Sequence, residues 1–382
     1  MSGLPSFDPG FSTPAMTAVW SVEARVAAML DVEQAIAAAQ TEAGLIPSDD
    51  FAAITAAIHH VAARLDIELA TQILTAGWDA GTPVMPLLAT IREHGPLEFL
   101  HYRVTTQDIV DSATMVQIGR ALRVLDDLIG RAIAMLRAAV GTGGDRPVMA
   151  RTLLQPALPT TIAGRVDGWI APLVRRRADL AAAGVTLPVQ LGGPIGDRAR
   201  IDSAGLDSGG LDSAGIDSAG IDSAGLDSAG LDSAGLDSAG LDGAVVAGVA
   251  RRLGLAAIDY AWHTDRAPIG EVISLVERTV SWVAKIAHDV ALLSQPELGE
   301  VEVRAGSSSA MAHKRNPIDA VRALAAADAC HGAASICTAA RPHEFERAAG
   351  SWHAEWFAIP LVLHTAAAAL DALGSMELRF TR

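Results

Sequence analysis

Residues 269–293 read IGEVISLVERTVSWVAKIAHDVALL. Ile273, Val276, Val280, Val283, Ile286, Val290 and Leu293 recur three and four apart, which sets them on one face of a long helix. The same spacing runs through Thr17–Ala43, by way of Val19, Val22, Val26, Met29, Leu30 and Ile36. Gly44 is a natural stop for that helix. Ser112–Val140 is periodic up to Gly141-Thr142-Gly143-Gly144. Thr160–Ala183 follows, with Pro172 expected to kink it. Ile318–Ala340 and Phe357–Leu373 complete the set. The expected fold class is all-α, an elongated helical bundle.

Composition agrees. Of 382 residues, 50% are hydrophobic and only 4% aromatic. That mixture favours packed helices over strands, which want aromatic and β-branched residues. The net charge is −15 and no basic run occurs, which speaks against a nucleic-acid partner. No apolar stretch is expected to reach the roughly 18 residues of a membrane span, so no membrane partner is expected. Met1-Ser2-Gly3-Leu4-Pro5 does not open like a secretory signal. Cys330 and Cys337, if helical, lie about 10 Å apart along the axis, too far for a bridge. They read as reduced structural thiols of a cytoplasmic protein.

From Ile201 the chain repeats a five-residue unit, IDSAG LDSGG LDSAG IDSAG, through eight copies and a stub ending at Gly243. Its nine aspartates, Asp202 to Asp242, supply nine of the fifteen net negative charges. A period of five fits neither 3.6 nor 2, so no amphipathic helix or strand follows. Three readings stand. The tract is a low-complexity, irregular insert; or it resembles the pentapeptide-repeat pattern and coils as a short β-helix; or its aspartates bind metal. The last lacks the dense oxygen cluster that calcium needs. The flanks, Leu191-Gly192-Gly193-Pro194 and Gly243-Ala244-Val245, read as a glycine-rich turn entering a helix once the copies are removed.

Chemistry is concentrated in Gly306-Ser307-Ser308-Ser309-Ala310-Met311-Ala312-His313-Lys314-Arg315-Asn316-Pro317. Serines after a glycine make a loop. A hydroxyl with lowered pKa can move a proton. Lys314, one of two lysines in the chain, and Asn316 can stabilise a carboxylate or an enolate-like intermediate.

This loop resembles the signature of the fumarase/aspartase superfamily, Ser-Ser-x-Met-Pro-x-Lys-x-Asn, with Ala312 in place of proline. The resemblance makes Ser308 the proton-transferring residue and gives Lys314 and Asn316 substrate carboxylates; Ser309, Met311 and Arg315 share the loop. His101-Tyr102-Arg103-Val104-Thr105-Thr106-Gln107-Asp108 resembles that family's His-x-Gly-x-Thr-Ser-x-Asp stretch. It implies a site role for His101 and carboxylate contacts for Thr105 and Thr106. Arg103 stands where the family has glycine. Met149-Ala150-Arg151-Thr152-Leu153-Leu154-Gln155 resembles the Gly-Arg-Thr-His-x-Gln segment and adds Arg151, Thr152 and Gln155. Leu153 replaces the general-acid histidine of lyases acting on adenylosuccinate and argininosuccinate, and leucine cannot transfer a proton.

An apolar residue there resembles the 3-carboxy-cis,cis-muconate cycloisomerase branch. Phe11–Met16, Trp262-His263-Thr264-Asp265-Arg266 and Glu346–Trp356 lean the same way, which makes His263 and Arg266 candidate substrate contacts. The branch implies lactonisation of a tricarboxylate to 4-carboxymuconolactone in protocatechuate breakdown, in a cytoplasmic homotetramer whose sites draw on three subunits. That chemistry requires no metal or organic cofactor. The domains expected are 1–100, 101–350 with the insert at 201–243, and a remaining C-terminal helix at 351–382, where the family's third domain is truncated. Two other readings remain open: another lyase of the superfamily, such as adenylosuccinate lyase, or an inactive homologue, motivated by Arg103, Ala312 and the repeat.

Overall fold

The structure, a computed structural model, describes residues 8–198, 239–306, 311 and 314–381. Ser308, Ser309 and residues 201–238 of the repeat lie outside the described residues. The helices among the described residues are α1 (Pro14–Val19), α2 (Val22–Glu42), α3 (Ser48–Arg64), α4 (Ile67–Asp79), α5 (Val84–Arg92), α6 (Thr106–Val140), α7 (Ile162–Val185), α8 (Ala239–Leu253), α9 (Ala267–Leu293), α10 (Ile318–Ala339) and α11 (Ser351–Gly374). Four short strands form two antiparallel pairs, β1 (Pro147–Thr152) with β2 (Gln155–Thr161) and β3 (Val301–Glu302) with β4 (Arg379–Phe380). The all-α expectation holds, with the two strand pairs as additions.

The chain divides into two compact units. The first comprises Met1–Arg25, Thr114–Leu187 and Thr264–Arg382. In it α9 packs on α7, α10 and α11, and α10 packs on α11. All seven apolar residues that define the α9 face are buried. Ala320, Ala323, Ala326 and Ala327 of α10 and Ala366–Ala369 of α11 are buried too, small side chains that let helix backbones come close. Cys330 and Cys337 are buried on α10, unbridged, with burial pushing each thiol up to about 12.

One sequence expectation needs correction here. α11 is long and apolar enough, by length and composition, to cross a membrane. Most of that stretch is buried against α9 and α10, so its apolarity serves a protein core.

The second unit comprises Val26–Ala113 and Pro188–His263. Here α5 packs on α3 and α4. Asp66 caps α4, its Oδ1 accepting from the Leu69 N–H at 2.9 Å. α8 takes in Ala239–Gly243, the end of the segment expected to be irregular. Val245, Val246 and Val249 are buried along it, and that helical spacing extends the helix through the stub.

Other boundaries moved for local reasons. The helix expected from Thr17 is broken at Trp20–Ser21, where Ser21 Oγ accepts from the Ala24 N–H at 3.1 Å and starts α2 afresh. α6 begins at Thr106 rather than Ser112, because Asp108 Oδ2 accepts from the Thr105 N–H at 3.0 Å in a capping-box arrangement. α7 begins at Ile162, capped by Thr161 Oγ1, which accepts from the Gly164 N–H.

Candidate functional site

In the second unit, Asp108 organises one group of candidate residues. Its carboxylate is fully buried. It accepts from Gly192 N–H at 2.7 Å, Gly193 N–H at 3.0 Å and Thr105 N–H at 3.0 Å, and pairs with His263 Nε2 at 2.8 Å. Gly192 is required by this packing, since a Cβ there would lie 2.7 Å from His263 Cε1. Gln107 Nε2 donates to the His263 carbonyl at 2.8 Å and to Asp111 Oδ2 at 3.1 Å. His263, 3% exposed, is therefore a packed partner of Asp108.

His101 donates from Nδ1 to Glu33 Oε1 at 2.7 Å, and Glu33 is itself buried. Burial alone would lower the imidazole pKa. The charge and hydrogen bond of Glu33, together with the Asp108 charge, outweigh it and raise the pKa above the ordinary value. Thr105 is buried at the start of α6, and Thr106 is half-buried beside it. Arg103 adopts φ 59°, in the left-handed region where glycine sits without strain, and its guanidinium lies 4.8 Å from the Tyr102 ring centroid. The glycine that the family pattern carries at this position thus matches the backbone conformation, and the arginine adopts it with stacking as its compensation.

In the first unit, the roots of the serine-rich loop are clamped together. Gly306 N–H donates to Asn316 O at 3.0 Å across an isolated antiparallel bridge. Arg304 forks onto Asp319, Nε to Oδ2 at 2.8 Å and Nη2 to Oδ1 at 2.6 Å, and Arg322 adds a contact at 3.1 Å. Asp319 is buried in the first turn of α10, where a negative charge suits the helix dipole. Met311, Lys314 and Arg315 are exposed between these roots, and Asn316 is half-buried.

The β1–β2 hairpin carries the third group. Thr152 pairs with Gln155, so Leu153 and Leu154 form a two-residue turn with φ 50° and 65°. Both are positive, as in the mirror-image turns that tight hairpins favour. Leu153 is 96% exposed. Arg151 Nη2 pairs with Glu300 Oε1 at 2.6 Å, and Arg165 Nη1 with Glu300 Oε2 at 2.8 Å. Burial pushes the Glu300 carboxyl up, but the hydrogen bonds of the two arginines outweigh it and hold it below the usual range. Glu300 immediately precedes β3, so Arg151 is tied to the segment that leads into the serine-rich loop.

Arg266 stands apart. Its Nε and Nη2 close on Glu355 at 3.1 and 2.6 Å, both partners buried. It lies at the start of α9, whereas the loop follows the far end, and a 27-residue helix is about 40 Å long. Arg266 therefore lies at the end of α9 remote from the segment that leads to the loop. The structure groups His101, Thr105, Thr106 and His263 near Asp108, pairs Thr152 with Gln155 in the hairpin, and ties Arg151 to Glu300 ahead of β3.

Sequence reading did not assign Asp108, Glu33, Glu300, Glu355, Arg304 or Asp319 a role. For Asp108 a signal existed: Thr105-x-x-Asp108 is a capping-box spacing. The others are long-range partners with no local signature.

Residues 10–204 match the family model described as lyase. The chain is 33% identical to the 3-carboxy-cis,cis-muconate cycloisomerase of Pseudomonas aeruginosa, over 99% of this chain and 76% of that protein. It is 32% identical to the nitrosuccinate lyase of Streptomyces davaonensis, over 90% of this chain and 67% of that one. Among solved structures, the 3-carboxy-cis,cis-muconate lactonizing enzyme from Pseudomonas putida superposes with a TM-score of 0.79 at 29% identity, covering 98% of this chain and 77% of the other.

Proposed function

The chain belongs to the lyase family, and from that premise we propose that it lactonises 3-carboxy-cis,cis-muconate to 4-carboxymuconolactone. The observation that carries this reading is similarity along 99% of the chain to a cycloisomerase of that specificity. Leu153 supports it, since the histidine-dependent lyases need a proton donor at that position.

In the reaction one substrate carboxylate oxygen adds to a carbon of the diene, and the neighbouring carbon takes a proton. Ser308 supplies that proton, and Lys314 and Asn316 stabilise the negative charge that develops before it arrives. Thr105, Thr106, Ser309 and Arg315 hold the remaining carboxylates. Arg151, whose Nη2 is held by Glu300, keeps further N–H groups to join them. His101, oriented through Nδ1 by Glu33, presents Nε2 as an acceptor when neutral and as a donor once protonated.

The working form is a cytoplasmic homotetramer in which candidate residues from different copies meet. The apolar hairpin face of Leu153, Leu154 and Leu158, exposed at 96%, 71% and 74%, supports contact between copies. A second reading, β-elimination from a succinate adduct, has the nitrosuccinate lyase relative in its favour.

The test is ultraviolet absorbance of 3-carboxy-cis,cis-muconate mixed with purified protein. Ring closure breaks the conjugated diene, so absorbance falls. Ser308→Ala is expected to slow the fall at least a hundredfold, on the order expected for losing general acid–base catalysis. No fall with folded wild-type protein removes the cycloisomerase reading, and nitrosuccinate is then the substrate to try.

A further inference from the structure

One ion pair brackets the serine-rich loop. Arg304 Nε donates to Asp319 Oδ2 at 2.8 Å and its Nη2 to Oδ1 at 2.6 Å. Between these two residues runs the stretch that carries Lys314 and Asn316. Arg304 is itself anchored, since its N–H donates to Met376 O at 3.0 Å, just beyond the end of α11. Asp319 belongs to α10 and is 1% exposed. The fork therefore ties the first turn of α10 to the segment that follows β3.

Neutralising Asp319 does not by itself require this partner. Arg322 reaches the same carboxylate at 3.1 Å from within α10, three residues on. It supplies a counter-charge and links α10 only to itself. Arg304 adds a connection that spans fifteen residues of chain. A planar guanidinium with two parallel N–H···O bonds fixes angle as well as distance. A second tie sits inside the first. Gly306 N–H donates to Asn316 O at 3.0 Å, and Ile318 N–H donates to the same oxygen at 2.8 Å. A Cβ on Gly306 would lie 3.0 Å from Ile318 Cβ, so the two runs of chain are in close contact there.

We propose that Arg304 is a positioning residue for Lys314 and Asn316: its fork onto Asp319 fixes the backbone that carries both, and so sets where their charge and amide meet the substrate. Misplacing a reacting group by about 1 Å can cost on the order of a hundredfold in rate, so such a tie is felt in turnover. The consequence for turnover rests on the lactonisation reading; the tie itself does not.

The experiment compares Arg304→Gln with Arg322→Gln in the full chain. The two side chains are alike in exposure, 47% and 43%, and each change leaves Asp319 one arginine, so the buried carboxylate is never stranded. Only the first change cuts the link. One readout is lactonisation: Arg304→Gln is expected to lower kcat about tenfold or more with KM within about twofold of wild type, and Arg322→Gln to leave both unchanged. The other is cleavage by a lysine-specific protease, which has two sites in this chain, Lys285 and Lys314. Lys285 is held within α9 by Asp289, its Nζ 5.7 and 5.6 Å from the Trp169 and Trp282 ring centroids, so cleavage there reports opening of the core. Lys314 is exposed and reports the tie. Initial cleavage at Lys314 is expected to be about fivefold faster in Arg304→Gln, with the rate at Lys285 unchanged. If folded wild-type protein does not turn over the substrate, the lactonisation reading falls and the proposal stands or falls on cleavage at Lys314. Equal effects in the two variants, cleavage rising together at both lysines, unchanged cleavage at Lys314, or faster cleavage with unchanged kcat would each overturn the proposal.

Discussion

Arg266 and Glu355 are each 2% exposed, and their fork is a buried ion pair. Removing one partner strands a charge without water. Arg266→Ala is expected to cost about 3–5 kcal/mol of stability in urea denaturation, whereas the double change Arg266→Met/Glu355→Leu loses far less. Equal losses in both would show that packing, not charge, dominates. The residue scale is also where sequence reading was least informative. His101 and Arg266 could be marked as candidates by their company, but the carboxylates that hold them, Glu33 and Glu355, lie 68 and 89 residues away. A partner at that separation leaves no trace in local spacing.

At the scale of elements, the β1–β2 hairpin closes on two leucines in the left-handed region, where an L-residue with a bulky side chain pays roughly 1–2 kcal/mol. Replacing Leu153-Leu154 with Asn-Gly, the pair that mirror-image turns prefer, is expected to raise the melting temperature by a few degrees. A fall instead would mean that the leucines are buried by another copy and stabilise the assembly. Helices were the legible part of the fold. Ile269–Leu293 is found as Ala267–Leu293 and Ile318–Ala340 as Ile318–Ala339, because an apolar face at helical spacing is written directly in the sequence. The hairpin was not legible. Pro147–Thr161 lacks period-2 burial, most of β2 is exposed, and its turn carries none of the residues that announce one. The loop root behaved likewise: the serines mark the loop, but the Arg304–Asp319 clamp had to be seen.

For the whole molecule, acid stability is expected to hinge on a group in the middle of an apolar helix. His364 on α11 is buried, bonded to Ser12 Oγ at 2.6 Å, and burial lowers its pKa to about 4. Above the ordinary histidine value near 6.5, the group is neutral in both folded and unfolded chains. Between about 6.5 and 4 only the unfolded chain takes up the proton, so stability falls as pH drops through that window. Urea midpoints measured at pH 7 and pH 4.5 should show this fall in the wild type and a smaller one in His364→Gln. An equal fall in both would assign the acid sensitivity elsewhere. Strand β4 has a practical bearing of its own. Phe380 pairs with Val301, stacks on Trp169 with ring centroids 6.4 Å apart, and accepts from Arg146 at 3.0 Å, while Thr381 N–H donates to Glu300 O. A fluorophore attached at Thr381 would therefore sit next to the strand that feeds the serine-rich loop. Such a label is well placed to report on ligand entry by a change in emission, and a bulky group there is badly placed for kinetic work.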